Sequence, residues 1–260
     1  MRELLRFFVA PESLLGDQVT ISGDVHHHLH NVLRTRLGSV LTLLDGQGLC
    51  CEVELEVINK REASARVLRR WRDEERTLPI SLIQGMPKAD KFDLILQKGT
   101  ELGMRCFQPV ETHNTVPQVN VARMVKREQR WSRIATEAAR QCRRSFLPEV
   151  RSVQKLMDVI SGETDDLKLV LWEAGSVPLA VALPEETPTG VTLLVGPEGG
   201  FTDQEIKHIS GAGFQAVHLG PRILRTETAG LAATAILQYI YGDWRQAPVN
   251  EELNQHEEKP

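Results

Sequence analysis

The chain has 260 residues, 41% of them hydrophobic, and a net charge of −4. That length holds one large domain or two smaller ones, and no apolar run approaches the ~20 residues of a membrane span, which excludes a helical membrane protein. The start, Met1-Arg2-Glu3-Leu4-Leu5-Arg6, is too polar for a secretory signal. The four cysteines, Cys50, Cys51, Cys106 and Cys142, form no C-x-x-C, so reduced structural thiols in a cytosolic protein are expected rather than a disulfide framework or a zinc site.

Residues 1–72 read as a small β-rich unit. Arg6–Val9, Val19–Ile21 and Val40–Leu44 are strand candidates, and Asp24 N-caps a short helix over His26–Arg34. Asp45-Gly46 is a turn signal. Cys51–Val57 then alternates as a half-buried strand does, and Ala63–Leu68 continues it. On a strand, Cys50 and Cys51 point to opposite faces. Several short strands with tight turns predict a small barrel. His26, His27, His28 and His30 read as helix surface, because no carboxylate partners for a metal accompany them.

Trp71–Pro79 is charged, ends at proline and reads as a linker. Beyond it, over residues 73–246, strands alternate with helices, the signature of a parallel α/β sheet. The expected strands are Ile80–Gln84, Cys106–Val110, Leu167–Trp172, Val191–Val195 and Phe214–Leu219. The expected helices are Lys88–Leu102, Val121–Cys142, Leu156–Ile160, one opened by the Thr202/Glu205 capping box, and Ala229–Tyr241. Val121, Met124, Val125, Trp131, Ile134, Ala135 and Ala138 are the core candidates of the long helix. Residues 247–260 read as a disordered acidic tail.

Charge is unevenly spread. From Arg123 to Arg144 there are eight bases against two acids, a segment of +6 that leaves −10 for the rest. One sign of field on an otherwise acidic chain is the form of an anion or nucleic-acid footprint; a solvated helix face is the plain alternative.

Two glycine-containing turns follow buried strands. Gly196-Pro197-Glu198-Gly199-Gly200-Phe201 ends one strand, and Leu219-Gly220-Pro221-Arg222-Ile223-Leu224-Arg225-Thr226-Glu227-Thr228 ends the next and runs into a helix of small residues. Neither is G-x-G-x-x-G or a Walker loop. Both lie where α/β sheets bind ligands, at the carboxyl ends of strands, and so many polar groups between buried elements are costly unless they bind something.

Leu194–Thr202 and Leu219–Ala229, with Lys88-Ala89-Asp90-Lys91-Phe92, Gln97-Lys98-Gly99-Thr100-Glu101-Leu102-Gly103, and His28 with Val32-Leu33-Arg34, resemble the RsmE-type methyltransferases. These are SPOUT enzymes that methylate N3 of a uridine in 16S ribosomal RNA. The resemblance implies a PUA-like RNA-binding barrel followed by an α/β SPOUT domain with a C-terminal trefoil knot. It implies S-adenosylmethionine as cofactor, a homodimer, a cytoplasmic location, and 16S rRNA of the small ribosomal subunit as partner, with no metal and no membrane. Residue by residue, the cofactor pocket falls on Leu171, Gly196, Leu219, Gly220, Leu224, Thr228 and Ala229. The sequence departs from the family at His113-Asn114-Thr115, where members commonly have Glu-Arg-Ser, and at Arg140.

N3 of uridine is an imide nitrogen that must lose its proton before or during methyl transfer. Arg225 is the first catalytic candidate, as a fixed cation that favours the uridine anion and cannot itself act as base; pairing with Glu227 is its plain role. Glu198 is the second, as proton acceptor or as orienter of Arg225. His28, Arg34, Lys88, Lys91, Arg143, Arg144 and Arg222 are RNA candidates, and Trp172 and Phe201 are either stacking surfaces or core. A ribose 2′-O target and a non-catalytic RNA-binding assembly factor are the alternative readings.

Overall fold

The computed structural model describes residues 4–115, 121–174 and 176–245, with residues 121–123 as backbone only. The acidic stretch 247–260, and the side chains of Val121 and Arg123, lie outside the described residues.

The first unit is a five-stranded sheet built from β1 (Leu5–Phe8), β2 (Gln18–Ile21), β3 (Val40–Leu44), β4 (Leu49–Ile58) and β5 (Ala63–Arg72). Its order is β1-β3-β4-β5-β2. Phe7 from one edge strand, Val19 and Ile21 from the other, and Leu43, Cys51 and Val53 between them share a single core, so the sheet curls into a partly open barrel. Cys51 enters that core, whereas the Cys50 thiol donates to Asp73 on the opposite face (3.3 Å). Both thiols are buried, so the strand they share is covered on both sides. β5 runs through Arg72, so Trp71 and Arg72 belong to the strand and not to the linker. The histidine helix starts earlier than expected: α1 is Gly23–His27 with Ser22 at the N-cap, and a π-helical turn over His28–Val32 follows. His26 is buried, with its Nε2 2.8 Å from the Asn59 carbonyl, which corrects its reading as surface.

The second unit is an eight-stranded sheet, and all its pairings are parallel. Its strands and helices alternate as β6 (Ile80–Gly85), α2 (Lys91–Glu101), β7 (Met104–Glu111), α3 (Val121–Gln141), β8 (Glu149–Val150), β9 (Gln154–Lys155) and α4 (Leu156–Ile160). They continue as β10 (Leu167–Leu171), β11 (Val177–Pro178), α5 (Leu179–Ala182), β12 (Val191–Val195), α6 (Asp203–Gly211), β13 (Gln215–His218) and α7 (Thr226–Tyr241). The order is β11-β13-β10-β12-β6-β7-β8, with β9 also on β7. Period-two alternation divides the strands between two cores. Leu82, Leu169 and Leu193 face α2, α3 and α7, whereas Ile83, Val170 and Leu194 face α4 and α6. The parallel α/β sheet read from the sequence is present, with helices covering both of its faces.

Some boundaries differ for local reasons. α2 begins at Lys91 and not Lys88, because Ala89 sits at φ +55 and breaks the helical run. α7 begins at Thr226, three residues before the small-residue pattern, because the N–H groups of Thr228 and Ala229 both donate to the Arg225 carbonyl. In α3, Trp131 is fully buried edge-on against Phe92. Val125 is 49% exposed and Ala139 takes an inward position instead. The small residues of α7 serve its close approach to the sheet: a Cβ on Gly230 would stand 3.1 Å from Leu82 and 3.4 Å from Val195. The short elements β8, β9, β11 and α5 have too few residues to carry a periodic signal.

Candidate functional site

β10 lies between β12 and β13, so their carboxyl ends face one side of the sheet together. A pocket of about 320 Å³ opens there, lined by Leu171, Trp172, Glu173, His218, Leu219, Gly220, Leu224 and Ala229 among others. Apolar Leu171, Val217, Leu219 and Leu224 share its lining with polar Glu173, His218 and Arg222, the mixed composition of a small-molecule site. Gly220 has φ +108, a conformation that an L side chain rarely adopts, and it brings bare backbone to the pocket wall. Five of the seven residues expected at the cofactor line this pocket. Gly196 and Thr228 do not. Gly196 is buried, and its carbonyl accepts the Thr226 hydroxyl at 2.5 Å. Thr228 stands exposed on the first turn of α7.

The loop after β12 is tied down from several directions. The Lys88 N–H donates to both Glu198 oxygens, at 3.1 and 3.2 Å. The Lys91 ammonium lies 2.9 Å from Glu198 and 3.2 Å from Glu227. The Asn114 amide donates to the carbonyls of Gly199 (2.8 Å) and Gly200 (3.2 Å). Thr202 and Glu205 close a full capping box, and the second Glu205 oxygen accepts the His113 N–H at 2.8 Å. Partial burial opposes ionisation of Glu198, but the hydrogen bonds from Lys91 and from backbone N–H groups outweigh it and hold its carboxyl below the usual glutamate range. The hydrogen bonds to Glu198, then to Glu227, raise the Lys91 ammonium. A carboxylate held this way is an anchor and a poor proton acceptor.

The loop after β13 is open. Ile223 is 81% exposed and the Arg225 side chain 82%. The guanidinium of Arg225 approaches Glu227 only to 3.9 Å, and Arg222 is also exposed.

A family model described as an RNA methyltransferase domain matches residues 74–238, and one described as an RNA methyltransferase PUA domain matches residues 21–68. The chain belongs to this RNA methyltransferase family. The ribosomal RNA small subunit methyltransferase E of Bacillus subtilis is 35% identical over 229 residues, 85% of this chain and 89% of that protein. The ribosomal RNA small subunit methyltransferase E of Neisseria gonorrhoeae, solved bound to S-adenosyl methionine, is 36% identical with a TM-score of 0.83 and covers 93% of this chain and 100% of its own. A methyltransferase of Legionella pneumophila, solved with the same cofactor, is 33% identical with a TM-score of 0.84, covering 93% of this chain and 100% of its own.

The RNA candidates of this methyltransferase separate into two groups. Arg34 and Lys88 are exposed, as is Arg143 at φ +63. His28 is half-buried edge-on against Phe7. Arg144 is a correction: its side chain is 10% exposed, pairs with Glu75, and donates to the carbonyls of Met104 (2.7 Å) and Thr100 (3.3 Å). Lys91 is likewise engaged with the glycine loop. The basic run is partly neutralised by acids of this chain, since Arg130 pairs with Asp93 and Arg140 with Glu137. Lys126 and Arg133 keep its outward charge.

Four residues of the site were not anticipated. Glu173 and His218 line the pocket at the carboxyl ends of β10 and β13, and the strand-end rule for α/β sheets was the signal that nominates them. Gln84, buried near the end of β6, donates to Thr226 at 2.9 Å, a polar residue directly after Leu82 and Ile83. Asn114 joins two loops distant in sequence, for which no local signal exists. A larger cavity of about 770 Å³ lies between α4 and α6, lined by Met157, Ile160, Gln204 and His208.

Proposed function

We propose that this protein transfers the methyl group of S-adenosylmethionine to N3 of a uridine in 16S rRNA of the small ribosomal subunit, in the cytoplasm. The observation that carries the reading is the pocket at the ends of β10 and β13, in a chain 36% identical along 93% of its length to a relative solved with that cofactor. Aliphatic walls suit the adenine and ribose faces, and bare backbone at Gly220 leaves room for close approach. When bound, the cofactor supplies an electrophilic methyl group on sulfur. Held against Leu219, Gly220 and Leu224, it would give that methyl to N3 as its S–CH3 bond opened, with the N3 proton passing to solvent.

Arg225 is assigned to the uridine anion. It stays protonated, its backbone caps the start of α7 and its side chain faces outward, so it offers a cation and N–H donors that favour N3 deprotonation. Glu198 is assigned to anchoring. Arg222, Arg34, Lys88 and Arg143 are assigned to RNA phosphates, and His28 to packing beneath that surface. The unit over 1–72 holds RNA and that over 73–246 carries the chemistry. The loops after β12 and β13 are read as parts of a trefoil knot. The outward face of α7, with Ala232, Ala235, Ile236 and Tyr239 half-buried or exposed, is read as the homodimer contact.

Mass spectrometry of 16S rRNA from cells lacking the protein tests the reading. Loss of 3-methyluridine, restored by the purified enzyme with S-adenosylmethionine, is expected; persistence at full level overturns it.

A further inference from the structure

We propose that Asp73 and Ser145 are positioning residues that fix the first unit rigidly on the second, and that this fixed join selects which uridine is methylated. The inference rests on the reading that both units contact RNA.

The join is built around one carboxylate. Asp73 accepts from the Trp71 indole N–H at 2.9 Å, from the Cys50 thiol at 3.3 Å and from the Ser145 hydroxyl. Arg6 donates to the same Ser145 oxygen at 3.0 Å. These groups come from β1, β4, β5, the segment after β5 and the segment after α3. The Asp73 backbone adds a bond to the Gly48 carbonyl (2.9 Å). Beyond Ser145 the chain lies on the β3–β4 turn. Leu147 donates to the Gly46 carbonyl at 3.0 Å, and Phe146 bridges Gly46 and Gln47. There is no slack: a Cβ on Gly48 would sit 2.6 Å from the Phe146 ring and 2.9 Å from the Asp73 carbonyl.

A loose tether needs none of this. Even half-burying a carboxylate costs free energy unless donors surround it, and the donors around the half-buried Asp73 come from both units. Two RNA-contacting surfaces on one rigid body meet the RNA at one spacing, where the effective concentration of the second contact is highest. A uridine at another spacing misses the reacting geometry, and roughly 1 Å of displacement costs about 100-fold in rate. The first unit therefore acts as a ruler from its RNA surface to the methyl-transfer site.

The test uses full-length Ser145→Ala and Asp73→Asn with small subunits from cells lacking the enzyme. Affinity for S-adenosylmethionine is measured by calorimetry, KM and kcat for RNA by methyl incorporation, and product position by mass-spectrometric mapping. The expected result is unchanged cofactor affinity, a KM for RNA raised about 10-fold with kcat held, and methylation at additional uridines. If Asp73→Asn does not fold, Phe146→Ala carries the same expectation. An unchanged KM and a single methylated position in Ser145→Ala overturn the proposal, as does loss of cofactor affinity in parallel with activity. Wild-type protein that makes no 3-methyluridine overturns the assigned reaction instead.

Discussion

The loops after β12 and β13 leave the two strands that flank β10, both combine glycine with charge, and they are built in opposite ways. The first has its carboxylate and carbonyls satisfied by Lys88, Lys91 and Asn114. The second turns Arg222, Ile223 and Arg225 outward. Satisfied polar groups define a shape before any ligand arrives, whereas outward ones keep their binding capacity for it. Charge in a strand-end loop is therefore no guide to catalysis; whether that charge is already partnered within the chain is.

The sharpest break of this comparison is Arg225→Ala. Turnover is expected to fall about 100-fold or more, the scale of losing one fixed donor to a developing anion, with calorimetric affinity for S-adenosylmethionine nearly unchanged. A large loss of cofactor affinity would make Arg225 a pocket wall. Gly220→Ala forces a side chain into φ +108 and costs about 1–2 kcal/mol; weakening of cofactor binding by roughly 10-fold is expected, and an unchanged Kd would remove Gly220 from the pocket.

Glu198→Gln addresses the anchored loop. It keeps the acceptor for Lys88 but loses the ion pair with Lys91, and kcat/KM for RNA should drop about 5-fold, the scale of one solvent-accessible ion pair. The shape of the pH–rate profile should stay the same; a lost limb would show that Glu198 takes the proton. Since its folded-state pKa is depressed, the anchoring is complete above the ordinary glutamate range and is lost as pH falls through the lower folded value.

Smaller effects separate the surface charge of α3 from the internal charge just beyond its end. Neutralising Lys126 or Arg133 should weaken RNA binding mildly and flatten the salt slope by about 0.7 per charge. Arg144→Ala should lower the thermal midpoint instead, because it strips a partner from Glu75 and from two carbonyls. At high pH, burial holds the Cys50 thiol up to about 12 from 9.0. That protonated form stabilises the fold fully below about 9, and the contribution is lost as pH rises towards 12. Replacing Cys50 with alanine should flatten the alkaline arm of a stability–pH curve.

Much of the fold was legible because its signals are local. Val191–Val195 is apolar apart from Thr192 and buried on both faces, and Thr202 and Glu205 announced the cap of α6 three residues apart. The pocket was legible through strings characteristic of the family, which placed Leu171, Leu219, Gly220, Leu224 and Ala229 together. The failures share a cause. Arg144 read as a cation in a basic run, yet its partners Glu75, Thr100 and Met104 come from other segments. Asn114, Gln84 and Asp73 likewise act on residues far away in sequence.

By itself the sequence determined the two architectures, the alternation of strand and helix, the capping box and the residue types at the pocket. Those follow from periods of 2 and 3.6 residues and from turn chemistry, which operate over a few positions. Only the tertiary structure decided which polar groups are already partnered. Glu198 is anchored and Arg225 open because a hydrogen bond depends on distance in space: Lys88 and Asn114 reach the first loop, and Lys91 spans from Glu198 to Glu227 without touching Arg225.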